Sequence, residues 1–165
     1  MDKTNDFNLK VITLNVRGLG EKRKRQTIIQ YINDKKIDVA FLQETFITKK
    51  NEHNLKKDWD GYIFHCLSNS SFSRGVSILI RRELKVKVNN IYKSDDARKL
   101  MINADINDSA FSLICAYSPN QVSSRIDFFK RLSKWIKQRC CDDDKIIIGA
   151  DLNAVDNEMD RTFTR

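Results

Sequence analysis

Short apolar runs that stop on a chemically able side chain set the tightest limit on what this chain can become. KVITLN ends on Asn15, DVAFLQET on Glu44, FSLICAYSPN on Tyr117 and Asn120, and KIIIGADLN on Asp151 and Asn153. Runs this short and this rich in Ile, Leu and Val read as buried strands, because a helix needs about ten residues or more at a 3.6-residue period. In open α/β architectures the carboxyl ends of strands share an edge of the molecule, and ligands bind there. The polar residues named above are therefore expected to converge from distant segments.

Further strands are expected at Tyr62–Cys66, Val76–Ile80, Val86–Tyr92 and Leu100–Ile106, alongside Leu9–Leu14, Asp38–Gln43, Phe111–Tyr117 and Lys145–Gly149. Helical period is confined to two places. Phe128, Phe129, Leu132, Trp135 and Ile136 form one stripe, with Ser124 and Asp127 reading as a capping box. Ile28, Tyr31 and Ile32 form a shorter stripe between Lys22 and Lys35. Strands that are apolar on both faces need cover on both sides, so the expected fold is a layered α/β sandwich with two mixed β-sheets flanked by helices. The 165 residues read as one domain, with SNSSFSR at 68–74 and NDS at 107–109 as turns rather than linkers.

Composition narrows the function classes. No segment approaches the roughly 18 apolar residues of a membrane span, and MDKTNDFNLK does not read as a secretory signal. The expected setting is intracellular, with the nucleus compatible with KRKR at 22–25. Cys66, Cys115, Cys140 and Cys141 have no CxxC spacing, and His53 and His65 have no partner at zinc-ligand spacing, so neither a disulfide framework nor a zinc centre is expected. Thirty Lys and Arg against 22 Asp and Glu leave a net charge of +8, which favours an anionic partner such as nucleic acid. The densest cluster, Lys22, Arg23, Lys24 and Arg25, follows the Asn15 strand end and is placed to meet DNA phosphates, although a solvated helix face has the same signature.

A site rich in oxygen and amide groups, without thiol or imidazole, suits a hard divalent cation. Magnesium keeps several waters and is bound by one or two carboxylates. Glu44 is then the natural ligand, Asp151 is free to orient or deprotonate a water, and Asn15 and Asn153 add hydrogen bonds without repelling a phosphate. Each asparagine taken alone is also an ordinary turn former.

LNVRGL at 14–19, LQET at 42–45, RGVSILI at 74–80, AYSPN at 116–120, GADLNAV at 149–155 and MDR at 159–161 resemble, in order, the signatures of the endonuclease/exonuclease/phosphatase superfamily. The combination is most similar to the apurinic-endonuclease-like domain of LINE-type retrotransposons. The resemblance implies a DNA-nicking phosphodiesterase that uses Mg²⁺, with Mn²⁺ as a substitute, acts as a monomer, and in longer relatives accompanies a reverse transcriptase. It further implies metal binding by Glu44 and Asn15, with Asp151 and Asn153 adjoining. Asp151 activates water, Asn153 holds the nucleophile and phosphate, and Tyr117 contacts the phosphate. Arg98 supports the acidic cluster from behind, and Asn120 joins the substrate contacts.

Two departures matter. Leu152 stands where the family commonly has phenylalanine, read as a conservative change at a buried position. The family's later strands, with an Asp and a Ser-Asp-His triplet, have no counterpart after Asn153. His53 reads as solvated and His65 as a sheet histidine, so neither replaces the missing one. Asp156 and Asp160 read as loop residues. The expectation is a chain that binds metal but has little or no nicking activity. The alternatives are an apurinic/apyrimidinic repair endonuclease or other phosphoesterase, and a non-catalytic nucleic-acid-binding remnant.

Overall fold

Alternation within the apolar runs decides the layers. In β2 (Val39–Gln43) every residue is buried, with Val39 and Phe41 in one cluster and Ala40 and Leu42 in another. That strand is apolar on both faces because both are covered. A computed structural model of the chain describes residues 8–154. Its elements are β1 (Val11–Asn15), α1 (Lys22–Asp34), β2, α2 (Glu52–Asp58), β3 (Gly61–Cys66), β4 (Val76–Arg81), β5 (Val86–Lys93), β6 (Lys99–Ile106), β7 (Ser109–Tyr117), α3 (Val122–Lys137) and β8 (Lys145–Asp151).

Two mixed sheets result, ordered β1-β2-β4-β3 and β5-β6-β7-β8. β1 and β2 run parallel while β4 is antiparallel to both its neighbours. In the second sheet β5, β6 and β7 are antiparallel and β8 joins β7 in parallel. Val39, Phe41, Ile78 and Ile80 from one sheet and Leu100, Ile102, Leu113 and Cys115 from the other fill the space between them. The first sheet's outer face packs Ala40, Leu42 and Leu79 with Ile29 and Ile32 of α1 and Leu55 of α2. Ala116 meets Phe128 and Leu132 of α3 on the opposite side. The layered α/β sandwich expected from the sequence is the fold observed.

Some local expectations change. α3 begins at Val122 after Gln121, without a side-chain cap; Ser124 lies inside the first turn and its N–H donates to the Gln121 carbonyl, so the capping box is absent. The sequence reading has no counterpart of α2, a short helix whose apolar anchors are Leu55 and the following Trp59. Two anchors four residues apart in a polar run form too short a stripe for periodicity to register. Leu152, expected buried, is 45% exposed, because β8 has ended at Asp151 and the chain has left the sheet.

Gly149 fixes how β8 sits on β2. A Cβ there would lie 2.2 Å from the Phe41 ring, so only glycine lets the strand that carries Asp151 approach the first sheet this closely.

Candidate active site

β1 and β2 are in parallel register, which pairs Asn15 with Gln43 and leaves Glu44 one residue beyond the pair. β7 and β8 are likewise parallel, pairing Tyr117 with Asp151. Parallel strands finish at the same edge, and the two sheets bring both edges together at one corner. Asn15 closes it: its Nδ2 donates to Glu44 Oε1 at 2.8 Å and to Asp151 Oδ2 at 2.6 Å. One amide nitrogen thus bridges carboxylates from two sheets.

The backbone around Glu44 is sewn on both sides. Val16, Gly18 and Leu19 N–H groups donate to the carbonyls of Gln43, Glu44 and Thr45, while Thr45 and Phe46 N–H groups donate to Gly75 and Arg74 carbonyls. Glu44 itself has φ +51°, a left-handed conformation that costs a non-glycine residue about 1–3 kcal/mol. These flanking bonds hold it there, and the turn swings its side chain out of the sheet toward Asn15. Beneath the corner, buried Gln43 donates from Nε2 to Thr13 Oγ1 (3.0 Å), Cys115 Sγ (3.3 Å) and the Gly149 carbonyl (3.3 Å), tying β1, β7 and β8 to β2. Burial pushes the Cys115 thiol up to about 12, so it acts as a neutral packing group.

The end of β8 is clamped by Ser118. Its N–H donates to the Asp151 carbonyl, its Oγ to the Leu152 carbonyl at 2.6 Å, and its own carbonyl accepts from Asn153 Nδ2 at 2.8 Å. Asn153 N–H donates back to Asp151 Oδ1 at 3.0 Å. Each Asp151 oxygen therefore holds one hydrogen bond and keeps lone-pair capacity for a water. The Tyr117 hydroxyl donates to Asn120 Oδ1 at 3.3 Å. Burial first, then the Glu44 carboxylate nearby, push its phenol above the usual range, so it stays a donor at neutral pH.

Arg98 stands behind Tyr117, at the cleft that Glu44 borders. Its guanidinium lies over the Tyr117 ring at 4.9 Å and Nη1 donates to the Tyr117 carbonyl; its hydrogen bonds go to neither Glu44 nor Asp151. Arg25 departs from the surface cluster. It is 5% exposed, pairs through Nε with Asp58 Oδ2 at 2.5 Å and donates to the Leu19 and Gly20 carbonyls. It locks α1 onto α2 and is closed to DNA, because a guanidinium satisfied on three sides at a helix–helix contact has no reason to leave it. Lys24 Nζ donates to the Arg17 carbonyl, whereas Lys22 and Arg23 remain exposed. Asp156, Asp160 and Arg161 lie outside the described residues. His65 is buried against Ser77 Oγ at 2.8 Å, in line with its sheet reading.

The site residues line two depressions. Glu44, Tyr117, Arg98 and Asn120 border one, together with Phe72, Arg74 and Gln121. Asn15, Asp151 and Asn153 border the other. Among the described residues no group of three or more His, Cys, Asp and Glu side chains forms a metal cluster. Glu44 and Asp151, joined by Asn15, are two carboxylates with open lone pairs. That donor set fits a hard cation that keeps most of its waters and does not fit zinc. The sequence reading gave no role to Gln43 and Ser118, which tie this corner together, or to Phe72 and Arg74, which border the first depression; a lone Phe in a Ser-rich loop, two residues before RGVSILI, was the available signal for the last two.

The chain is 26% identical over 159 residues to the transposon TX1 uncharacterized 149 kDa protein of Xenopus laevis, covering 95% of this chain and 12% of that protein. Among solved structures, D. rerio TDP2 complexed with single-strand DNA product superposes with a TM-score of 0.70 at 21% identity, over 90% of this chain and 62% of that one. The human Nocturnin catalytic domain gives 0.59 at 13% identity, over 88% and 65%. A mannosyl-6-phosphatase of Bacteroides thetaiotaomicron gives 0.69 at 13%, over 88% and 66%. These likenesses establish the fold, and the chain spans a small part of its curated relative. The Endonuclease/Exonuclease/phosphatase family matches residues 12–165, and the chain belongs to that family.

Proposed function

We propose that the chain is the nicking endonuclease part of a LINE-like retroelement protein, hydrolysing a DNA phosphodiester with a divalent cation, Mg²⁺ or Mn²⁺. The observation that carries this is the Asn15 amide bridging Glu44 and Asp151 across two sheets. It collects two acids and several neutral donors at a strand-end edge, in a chain of net charge +8. The similarity to a transposon protein supports the retroelement origin, and a fold neighbour holding single-strand DNA supports the substrate class.

Glu44 and Asn15 hold the cation in this reading, with Asp151 and Asn153 at its margin. The bound cation supplies positive charge against the phosphate as negative charge develops there. Asp151, fixed by Asn15 and the Asn153 N–H, accepts the proton of the attacking water. Tyr117 and Asn153 donate hydrogen bonds to phosphate oxygens after giving up Asn120 and the Ser118 carbonyl. Neutral donors suit this task because a further carboxylate would repel the substrate. Lys22 and Arg23 meet the flanking backbone, where each neutralised phosphate releases a counterion.

The test is relaxation of supercoiled plasmid with and without Mg²⁺, beside Mn²⁺ binding followed by electron paramagnetic resonance. Weak Mg²⁺-dependent nicking that Glu44→Ala and Asp151→Ala both abolish, with Mn²⁺ affinity lost in Glu44→Ala, is the expected result. Salt-sensitive DNA binding with neither metal uptake nor cleavage would instead identify a non-catalytic binding remnant. Cleavage confined to abasic plasmid would identify a repair-type enzyme.

A further inference from the structure

The depression bordered by Glu44 and Tyr117 is an open cleft of about 670 Å³ that continues to Phe72, Arg74, Arg98 and Gln121. The hydrolytic reading uses none of its far end. Phe72 lies between β3 and β4 and is 86% exposed, the most exposed large hydrophobic side chain among the described residues. The loop beneath it is ordered by its own serines. Ser68 Oγ donates to the Ser73 carbonyl and accepts the Ser70 N–H, and the Phe72 N–H donates to Ser70 Oγ. At its base, the Arg74 and Gly75 carbonyls accept from Phe46 and Thr45, the residues that follow Glu44. An aromatic ring is thus held in water on a loop stitched to the segment carrying a reaction-centre carboxylate.

Two cations stand beside it. Arg74 is exposed, and its positive charge, after burial, helps lower the Arg98 guanidinium from its ordinary value, so the two groups feel each other. Neither forms an ion pair among the described residues. Two guanidiniums without an ion-pair partner suit an anion, even with the Glu44 carboxylate bordering the same cleft and Asp96 acting on Arg98, and a flat apolar ring in that cleft suits a π face. A nucleotide offers both. A base inside a duplex has both faces covered by its neighbours, so the ring reaches a base only where stacking is broken.

We propose that Phe72, Arg74 and Arg98 form a nucleotide subsite on the Glu44 side of the reaction centre, where an unstacked base lies on the Phe72 ring and the guanidiniums take its phosphate. The proposal rests on the DNA reading above. It makes this a site selective for DNA unpaired or distorted beside the scissile bond, with sequence tolerance, because every base has a π face.

The experiment measures binding of the full chain, in EDTA, to a short single-stranded oligonucleotide containing 2-aminopurine and to the same backbone carrying abasic residues, at several salt concentrations. Phe72→Ala weakens base-containing binding roughly 5- to 150-fold, removes the stacking-dependent quenching of 2-aminopurine, and leaves both abasic binding and the salt slope unchanged. Phe72→Trp restores binding and quenching. Arg74→Ala lowers the slope of log K against log salt by about 0.7. Equal binding of both oligonucleotides by the native chain and Phe72→Ala overturns the subsite, even where plasmid nicking proceeds. Loss of Mg²⁺-dependent nicking with the Phe72 pattern intact overturns the hydrolytic reading instead. Thermal melting of each variant shows that the fold is retained.

Discussion

At the corner between Glu44 and Asp151, the strand-end side chains are held by atoms from other strands: Asn15 on both acids, Gln43 beneath, Ser118 across the end of β8. At the rim, Phe72 stands in solvent and Arg74 has no ion-pair partner among the described residues. The corner has its geometry before substrate arrives, at the cost of a left-handed Glu44. The rim keeps its interactions unspent until something binds. Preorganisation belongs where charge develops in a transition state, and unsatisfied groups belong where affinity is made, since only contacts new to the complex add to it.

Substitutions separate the two. Asp151→Ala is expected to cut Mg²⁺-dependent nicking about 10²- to 10⁴-fold, the usual contribution of a positioned base, with oligonucleotide affinity in EDTA little changed. A parallel fall in that affinity would show that corner and rim are one unit.

Acid acts on the rim's support. His65 sits on β3, which leads into the Phe72 loop, and burial lowers its pKa from 6.5 to about 4; Glu52 opposes the shift and Lys93 and Lys56 add to it. The unfolded chain therefore binds this proton at higher pH than the folded one. Its contribution to stability is present above pH 6.5 and is lost as pH falls toward about 4, at about 1.4 kcal/mol per pH unit and roughly 3 kcal/mol in all. Denaturant unfolding of native and His65→Gln chains at pH 7 and pH 4.5 should show the steeper loss in the native chain; identical slopes would refute the burial argument.

Gly149→Val drives a side chain into Phe41 and is expected to cost about 1–3 kcal/mol by overpacking, read as a lower urea midpoint. Phe72→Ala should stay within about 0.5 kcal/mol of the native chain, as exposed substitutions do. Equal losses would mean that the rim is as tightly built as the corner. Smallest is the effect of Lys22→Ala with Arg23→Ala: on duplex DNA, the salt slope should fall by about 2, without change in melting. Adding Arg25→Ala should do something different, lowering stability by about 2–3 kcal/mol as a mostly buried pair with Asp58 is broken.

The strands were legible because apolar alternation and turn residues are local signals. So were α1 and α3, whose stripes repeat often enough to show a period. Glu44 and Asp151 were legible too, since a carboxylate directly after an apolar run has few reasons to be there. α2 escaped because two apolar residues make no stripe. Arg25 was misread because charge is visible in sequence and burial is not: only packing of α1 on α2 brings Asp58 to it. Leu152 was misread for the converse reason, since where a strand ends depends on its partner.

By itself, then, the sequence determined which segments become strands, which side chains finish them, and that the resulting edge is rich in oxygen donors, since each of these follows from neighbours in the chain. Tertiary structure alone decided the rest. Asn15 and Asp151 stand 136 positions apart in the chain and meet at 2.6 Å only because the ends of parallel strands in two stacked sheets fall at one corner, and no local preference encodes that distance. The same stacking decided that Arg25 is a bolt between helices and that Phe72 and Arg74 face the open cleft, because burial and charge pairing are properties of surfaces in contact.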